Sequence, residues 1–272
     1  MLKDITLGQY FPINSIIHKL DARIKILAVI IYVIAIFFAE NPFSYVFVGA
    51  FTLFVIALSK VPIKLILKSL KPLIFIIVFT SVINILLTDG TLVNINGYVL
   101  KWGFIKITYE GIFTALKMAF RLIFLVMGTS LLTFTTSPIS LTDGIEKLLS
   151  PFKKIGVPAH ELAMMMTIAI RFIPTLIEET DKIMKAQKAR GADFESGNLI
   201  SRVKAMIPIL VPLFISSFRR ADELAIAMEA RCYHGGEGRT RMKELKIKTR
   251  DILSLFVMIL FPALIILINI FL

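Results

Sequence analysis

Two arginines flanked by small residues are the side chains in this sequence best suited to recognise another molecule. Arg190 lies in the segment Ala189–Gly191 ("ARG"), and Arg231 lies in the segment Ala230–Cys232 ("ARC"). A guanidinium group is a rigid fork of N–H donors that matches a carboxylate. Its small neighbours would allow another surface to approach the backbone closely. The composition of each segment therefore favours docking on a partner that presents an acidic group.

The two segments are copies of one pattern, separated by a constant offset of 41 residues. Each follows a helical stretch and precedes a helix stop, Gly191 in the first copy and the sequence "CYHGG" in the second. A cation at a helix C-terminus also complements the helix dipole, which is worth about 0.3–1 kcal/mol. That alternative explains one arginine, but it gives no reason for two. Duplication predicts docking into two similar pockets on two related partners.

Other chemistry-bearing residues do not form a recognisable catalytic, metal or nucleotide site. His18, His160 and His234 are far apart and lack the HExxH spacing of a zinc site. Cys232 is the single cysteine, which excludes an intramolecular disulfide. The Gly-rich "HGGEG" lacks the Walker pattern, so any ATP chemistry must belong to a partner. We expect no enzyme activity and no bound metal in this chain.

Composition places the chain in a membrane. Apolar residues make up 57% of its 272 positions, and the mean hydropathy is +0.81. A soluble domain of this length would be less apolar. The net charge of +12 suits contact with anionic lipid or an acidic partner. Nucleic-acid binding is not expected, because no basic patch with interleaved aromatics is present.

Uncharged runs predict five membrane-spanning helices. A helix needs about 20 residues to cross roughly 30 Å of hydrocarbon, and the first run is accepted although it is short because Arg23 and Lys25 can extend their heads to the interface. The fourth helix should begin near Gly111. The predicted spans are Ile26–Ala39, Asn41–Ser59, Pro72–Thr88, Leu122–Thr142 and Ile252–Leu272.

The distribution of positive charge predicts the orientation. Lysines and arginines precede the first predicted span and follow the second, and nineteen of them lie between residues 136 and 250. Because cytoplasmic loops are rich in Lys and Arg, we expect a cytoplasmic N-terminus and an extracellular C-terminus. The segment "TDGTLVNINGYVLKWGFIKITYEG" would then lie outside, and its "NG" turn predicts a small hairpin. Asn84 and Asn269, inside spans, are candidates for interhelical hydrogen bonds.

The fold expected is an all-α integral membrane protein with about five transmembrane helices and a large cytoplasmic helical coupling region. Residues 1–135 are expected to contain an N-terminal amphipathic segment and four spans. The coupling region is expected over residues 136–250, and the last span over residues 251–272. Within the coupling region, apolar stripes predict two long helices that end at the two Arg segments. A shorter helix is expected between Ile139 and Ile155. Prolines should start, bend or break the long helices, at positions Pro174, Pro208 and Pro212.

The chain resembles the transmembrane T component of energy-coupling factor transporters, which are ATP-driven importers of vitamins and transition-metal ions. The resemblance rests on "HKLDARIKIL" before the first span, on the span arrangement, and on the paired "ARG" and "ARC" segments. It implies that Arg190 and Arg231 terminate coupling helices and engage grooves of two homologous cytosolic ATPase subunits. Cys232 departs from the family's glycine at that position, so the tight turn that glycine permits is less assured there.

The resemblance also implies a prokaryotic plasma-membrane location, ATP and magnesium bound only by the ATPase subunits, and a small membrane protein that captures the substrate. The T component is expected to hold that subunit against apolar faces of its coupling helices. Flexible methionines can repack against different partners, although ordinary helix packing explains them equally well. The residues expected at this interface are Met164, Met165, Met166, Phe214 and Phe218.

Two other classes of protein share some of these features. A stand-alone secondary transporter would use ionisable groups in the membrane, and Lys117 and Arg121 lie one helical turn apart on one face of the fourth span. Either they line a proton or anion path, or they pair within the protein near the interface. A membrane anchor without a transport role would show the same spans but would give no reason for paired arginines.

Overall fold

The structure is a computed structural model, which describes residues 10–88, 91, 94–95, 98–99, 101–102, 105–106, 108–194, 198–236 and 247–271. Helices dominate these residues, as expected for an all-α membrane protein. The chain divides into two compact units. One unit, which we call the bundle, comprises Gln9–Gly144 and Leu245–Leu272; the other, the coupling unit, comprises Ile145–Glu244.

Six helices of the bundle are predominantly apolar in sequence. They are α1 (Ala22–Phe37), α2 (Pro42–Ser59), α3 (Ile63–Leu70), α4 (Ile74–Leu87), α5 (Tyr109–Thr135) and α9 (Thr249–Phe271). A short 3₁₀ turn, Lys71–Leu73, joins α3 to α4. The helix α6 (Pro138–Leu149) begins in the bundle and continues into the coupling unit, where a 3₁₀ segment, Ser150–Ile155, follows it.

Six helical segments in the described part of the chain are long and apolar enough to cross a membrane. Four of them correspond to predicted spans: α2, α3 with α4 as one segment Ile63–Leu87, α5 and α9. The predicted first span is α1, which has only 16 residues. The other two candidates are the long helices of the coupling region, which the charge pattern had placed in the cytoplasm. The number of spans predicted, five, is therefore lower than the number of helices that satisfy this criterion.

Two span boundaries differ from the prediction. The third span starts earlier, because Ile63–Leu70 is already helical although it contains two lysines. The fourth begins at Tyr109, close to the expected Gly111, but it ends at Thr135 and not at Thr142. Thr136 is extended, and Pro138 opens the next helix. Proline suits the first helical turn, where its missing N–H has no helical partner.

The core of the bundle closes around Tyr32 of α1. Its hydroxyl lies 2.7 Å from Oγ1 of Thr52 on α2 and donates to the Phe124 carbonyl on α5 at 3.0 Å. Gly128 is required beneath its ring, since a Cβ there would lie 2.1 Å from Cε1 of Tyr32. Phe261 of α9 stacks on the same ring with centroids 5.9 Å apart. Three spans and α1 thus meet at one buried tyrosine.

The segment "HKLDARIKIL" fixes the start of α1. Asp21 is its N-cap, accepting from the backbone N–H of Arg23 and forming an ion pair with that side chain at 2.9 Å. Lys25 is only 6% exposed, and its Nζ donates to the carbonyls of His18 and Thr135. The expectation that Lys25 extends to the membrane interface is therefore wrong. Its ammonium group instead satisfies the last carbonyl of α5 and the carbonyl of His18.

The polar segment between α4 and α5 forms two small antiparallel pairs. Strands β1 (Asn94–Ile95) and β2 (Tyr98–Val99) pair across the "NG" sequence, which confirms the predicted hairpin. Strands β3 (Lys101–Trp102) and β4 (Ile105–Lys106) form a second pair that the sequence did not predict. The "NG" residues themselves lie outside the described residues.

The coupling unit is built on two helices of 31 residues each, α7 (Ala159–Ala189) and α8 (Leu199–Glu229). They confirm the two long helices predicted from the apolar stripes. Pro174, Pro208 and Pro212 all lie inside them. None of the three starts or breaks its helix, because the remaining hydrogen bonds of a 31-residue helix sustain it through each proline; bending, the third alternative, stays a prediction. The shorter helix predicted between Ile139 and Ile155 is α6 with its 3₁₀ extension.

Candidate docking site

The first Arg segment ends α7 with a left-handed turn. The N–H of Gly191 donates to the Lys188 carbonyl at 3.0 Å, and the N–H of Ala192 donates to the Gln187 carbonyl at 3.0 Å. This pair of bonds is the Schellman motif, in which the residue after the helix takes a positive φ. Gly191 has φ 88°. Arg190 is therefore held at the point where the chain leaves the helix axis.

The second Arg segment repeats this hydrogen-bond pattern at the end of α8. The N–H of Cys232 donates to the Glu229 carbonyl at 2.9 Å, and the N–H of Tyr233 donates to the Met228 carbonyl at 3.1 Å. Cys232 has φ 54°, a left-handed conformation that a residue with a Cβ adopts only at a cost. Cysteine thus makes the turn that the sequence left in doubt. The two helix ends have the same hydrogen-bond pattern in spite of the substitution.

Both arginines are exposed, and neither guanidinium group has a hydrogen bond or ion pair to another described residue. The flanking Ala189 and Ala230 are exposed as well. A cation that only capped its own helix would direct its donors to the last carbonyls. These side chains leave their donors available to a carboxylate on another molecule.

The helices α7 and α8 pack antiparallel. Nη2 of Arg220 donates to Oε2 of Glu179 at 2.8 Å, and Nε2 of Gln187 donates to the Pro208 carbonyl at 3.4 Å. Later residues of one helix therefore contact earlier residues of the other. The end of α8 lies near the beginning of α7, where Gly236 packs on His160.

This arrangement separates the two arginines. Along α7, 31 residues at about 1.5 Å each place Arg190 roughly 45 Å from the helix start. The five residues from Arg231 to Gly236 can span at most about 17 Å. With about 6 Å more allowed for the contact between Gly236 and His160, the two arginines are at least about 20 Å apart, which is too far for one carboxylate or one small pocket to engage both.

A side chain at the start of α7, His160, packs against the loop that follows Arg231 and is itself hydrogen-bonded to α6. Nδ1 of His160 lies 3.1 Å from Oε1 of Glu146 on α6, and the imidazole lies against Gly236, where a Cβ would be 2.6 Å from Cδ2. The sequence did not suggest this role for His160 or Glu146. The only sequence signal for this contact was the "GG" pair at the end of "CYHGG". Such a pair indicates a turn or a close approach to the backbone, but it does not indicate which residue makes the approach.

The residues predicted to contact a membrane subunit are mostly exposed on α7 and α8. Met165, Met166, Phe214 and Phe218 are exposed, with Phe218 at 68%, whereas Met164 is half-buried. Ordinary helix packing accounts for Met164. It does not account for two phenylalanines one turn apart that contact little of the described chain.

Lys117 and Arg121 pack within the bundle. Nζ of Lys117 lies 4.4 Å from the centroid of the Phe113 ring. Nη2 of Arg121 donates to the Ala39 carbonyl at 3.3 Å, and its guanidinium lies 5.4 Å from the ring centroid of Phe37. These contacts agree with pairing inside the protein at the end of α1. Neither cation faces an acidic side chain in the described part of the chain.

These features define a multi-pass membrane protein that presents two exposed arginine turns with the same hydrogen-bond pattern, and whose described residues form no recognisable catalytic centre. No group of His, Cys, Asp and Glu in the described residues could hold a metal ion. Sequence comparisons name the class. The family model CbiQ, described as cobalt transport protein, matches residues 13–242.

Curated relatives agree over nearly the whole chain. The energy-coupling factor transporter transmembrane protein EcfT of Clostridium kluyveri is 61% identical over 254 residues, 93% of each chain. The protein of the same name from Acidaminococcus fermentans is 61% identical over 259 residues, covering 95% of this chain and 94% of its own. The Bacillus subtilis protein is 47% identical over 262 residues. The chain belongs to this family of transmembrane components of energy-coupling factor transporters.

Proposed function

We propose that the chain is the scaffold that couples ATP hydrolysis by two cytosolic ATPase subunits to reorientation of a membrane-embedded substrate-binding subunit. The imported substrate would be a micronutrient, a vitamin or a metal ion, selected by that third subunit. The observation that carries the proposal is the matched pair of Schellman turns, each presenting an exposed arginine. ATP and magnesium would bind only to the ATPase subunits.

The separation of the arginines supports two ATPase subunits rather than one. At least about 20 Å lies between them, whereas the shared hydrogen-bond pattern of the two turns suits two copies of the same groove. Two homologous subunits meet both requirements. Each arginine would pair with an acidic side chain in its groove, and the small residues beside it would let the groove close on the helix end.

Antiparallel packing of α7 and α8 offers a route for transmitting force. When ATP draws the two ATPase subunits together, the gripped ends would be displaced, and the ion pair between Arg220 and Glu179 would carry the displacement from one helix to the other. The exposed faces around Phe214 and Phe218 would then move the substrate-binding subunit. The ATPases can shift this equilibrium only by binding its two states with different affinity.

Charge reversal tests the docking role. We expect Arg190→Glu and Arg231→Glu each to release one ATPase subunit from the purified complex, and the double variant to release both and abolish uptake. Arg219→Glu is the matched control, since Arg219 is exposed in the middle of α8 and remote from either turn. Normal assembly and transport by the double variant would show that the arginines do not dock ATPases.

Site-specific cross-linking tests the two-partner geometry. In a Cys232→Ala background, single cysteines at Ala189 and Ala230 should each cross-link to one ATPase subunit. A chain with both cysteines should give a product that contains two. A double-cysteine chain that never captures more than one ATPase subunit would contradict the proposal.

A further inference from the structure

The bundle contains an apolar pocket of about 290 Å³ that none of the docking roles uses. It lies between α1, α2, α5 and α9, beneath the turn at residues 16–20. On α9 its lining runs from Arg250 to Met258 and on α1 from Ile24 to Tyr32. Eight residues of helix are about 12 Å long, which is less than half the thickness of a bilayer's hydrocarbon core. The pocket thus has the depth of part of one leaflet.

The pocket opens on the outer surface of the bundle. Ile16, Phe54 and Leu253 line it and are exposed by 61%, 60% and 65%. Phe54 and Leu253 belong to helices that can span the membrane, so their exposed faces lie against lipid hydrocarbon. At its deep end, Tyr32, Thr52 and Gly128 close the pocket. The hydroxyls of Tyr32 and Thr52 bond to each other and to carbonyls, which leaves an apolar wall.

A cation stands at the shallow end of the pocket. Arg250 is half-buried, its Nε is fully buried, and that N–H has no hydrogen-bond partner among the described residues. A buried donor without a partner is costly, so an acceptor is expected there. The nearby carboxylates are already engaged: Asp21 pairs with Arg23, and Asp251 accepts from the backbone N–H groups of Asp21 and Lys248. The Nη groups of Arg250 also lack a partner among the described residues and are not fully buried, so an anion from outside the chain can reach the guanidinium through them.

Two further cations flank the same end. Lys19 precedes Leu20, which lines the pocket, and Lys248 lies two positions before Arg250; both are exposed, and neither ammonium group has an acidic partner among the described residues. Lys25 also lines the pocket, with its ammonium bonded to two carbonyls. Several cationic side chains therefore lie where α1 and α9 begin, at the level expected for lipid headgroups.

We propose that this pocket binds one anionic phospholipid, with an acyl chain between α1, α2, α5 and α9 and the phosphate group on Arg250. An apolar cavity entered from the membrane-facing surface selects hydrocarbon. The guanidinium group of Arg250, with the ammonium groups of Lys19 and Lys248 nearby, selects a headgroup of net negative charge, because the phosphate of a zwitterionic lipid is already compensated by its own cation. A bound lipid would fill space beside Tyr32 and keep α1, a helix of only 16 residues, packed against α9. Lipid binding at this pocket involves only the bundle and does not depend on ATPase docking.

Native mass spectrometry of the full-length chain, purified in mild detergent, tests the proposal. Palmitoyl-oleoyl phosphatidylglycerol and the phosphatidylcholine with the same chains are added at equal concentration. We expect one tightly retained lipid and a preference for phosphatidylglycerol. Arg250→Gln should weaken phosphatidylglycerol binding about tenfold, as expected when a charge-assisted hydrogen bond of about 1.4 kcal/mol or more is lost, and should remove the preference. Ala28→Phe, which fills the pocket, should reduce retention of both lipids.

Matched controls separate this site from general lipid adhesion. Arg219→Gln removes an exposed arginine elsewhere, and Ile30→Phe enlarges an exposed side chain of α1 outside the pocket; both should bind like the wild type. In addition, phosphatidylglycerol should raise the thermal unfolding midpoint of the wild type more than that of Arg250→Gln. Retention that is equal for both lipids, or unchanged in both Arg250→Gln and Ala28→Phe, would overturn the proposal.

Discussion

The backbone N–H of Asp21 donates to Oδ1 of Asp251 at 2.9 Å, joining residues that are 230 positions apart. The bond ties the start of α1 to the start of α9. Asp251 is only 1% exposed, and its other oxygen accepts from the N–H of Lys248 at 2.7 Å. One carboxylate therefore caps its own helix and fixes the N-cap of another, so that the last span returns to complete the bundle built by the first half of the chain.

Replacing Asp251 should destabilise the bundle. We expect Asp251→Ala to cost about 3 kcal/mol, because two hydrogen bonds to a buried charged acceptor are lost and their donors are left unpaired. The thermal unfolding midpoint in detergent measures the effect. Asp222→Ala, at an exposed position of α8, is the control and should unfold like the wild type. Equal midpoints for the two variants would mean that the Asp21–Asp251 bond contributes little.

The left-handed conformation of Cys232 predicts an unusual response to substitution. Cys232→Gly should stabilise the turn by about 0.5–1 kcal/mol, since glycine takes a positive φ without a steric penalty. Cys232→Val should destabilise it, because a β-branched side chain tolerates this region poorly. Hydrogen–deuterium exchange of the amides at the end of α8 should slow in the first variant and accelerate in the second. Cys232→Ala, which keeps a Cβ but lacks the thiol, should exchange at close to the wild-type rate. If Cys232→Ala instead changed the exchange rate as much as Cys232→Gly does, the thiol and not the backbone conformation would be the cause.

His18 should make stability depend on pH. Burial of its imidazole, with a smaller contribution from the nearby Lys25 ammonium, lowers the pKa of His18 below its ordinary value of 6.5, against an opposing hydrogen bond to the Phe11 carbonyl. The neutral ring is satisfied, with Nε2 donating to that carbonyl at 2.9 Å and Nδ1 lying 2.7 Å from Oγ of Ser15.

Because the folded-state pKa is the lower one, this contribution to stability is present above pH 6.5 and is lost as pH falls through the folded-state pKa of His18. We expect the unfolding midpoint of the wild type to fall on acidification, and His18→Gln to show a shallower dependence. His234→Gln, at an exposed position, should keep the wild-type slope. A His18→Gln profile parallel to that of the wild type would exclude this group as the cause.

The packing of Gly236 against His160 predicts a defect limited to one docking end. In Gly236→Ala the new Cβ would lie 2.6 Å from Cδ2 of His160, so the loop after Arg231 must shift, at a cost of about 1–3 kcal/mol. We expect weaker retention of the ATPase subunit at Arg231 and normal retention at Arg190, measured by the cross-linking described above. His160→Ala should restore part of the binding in the Gly236→Ala background, because it removes the clashing ring but also the packing that holds the loop. Equal loss at both ends would point to a general folding defect.

Local sequence determined most elements of this protein. Uncharged runs located α2, α4, α5 and α9 to within a few residues, except at the C-terminal end of α5. The reason is that a chain in hydrocarbon must form all its backbone hydrogen bonds within the helix, and that the helix must be long and apolar to cross the bilayer. The duplicated "ARG" and "ARC" segments marked the ends of α7 and α8, because helix stops depend on neighbouring residues. Of the alternatives predicted for Pro174, Pro208 and Pro212, starting and breaking a helix are wrong, since each proline lies inside a helix long enough to tolerate the loss of one backbone hydrogen bond.

Tertiary structure alone decided what depends on residues far apart in the chain. The sequence could not show that Asp251 would accept from Asp21, that Lys25 would be buried against the Thr135 carbonyl, or that the chain would hold Cys232 in a left-handed turn. The sequence indicated Asn84 and Asn269 alike as candidates for interhelical hydrogen bonds. In the structure Asn84 donates to Thr80 of its own helix, whereas Asn269 bonds to Ser44 and to the Phe38 carbonyl. Periodicity and composition specify which face of a helix is apolar, but only packing specifies which partner each polar group meets.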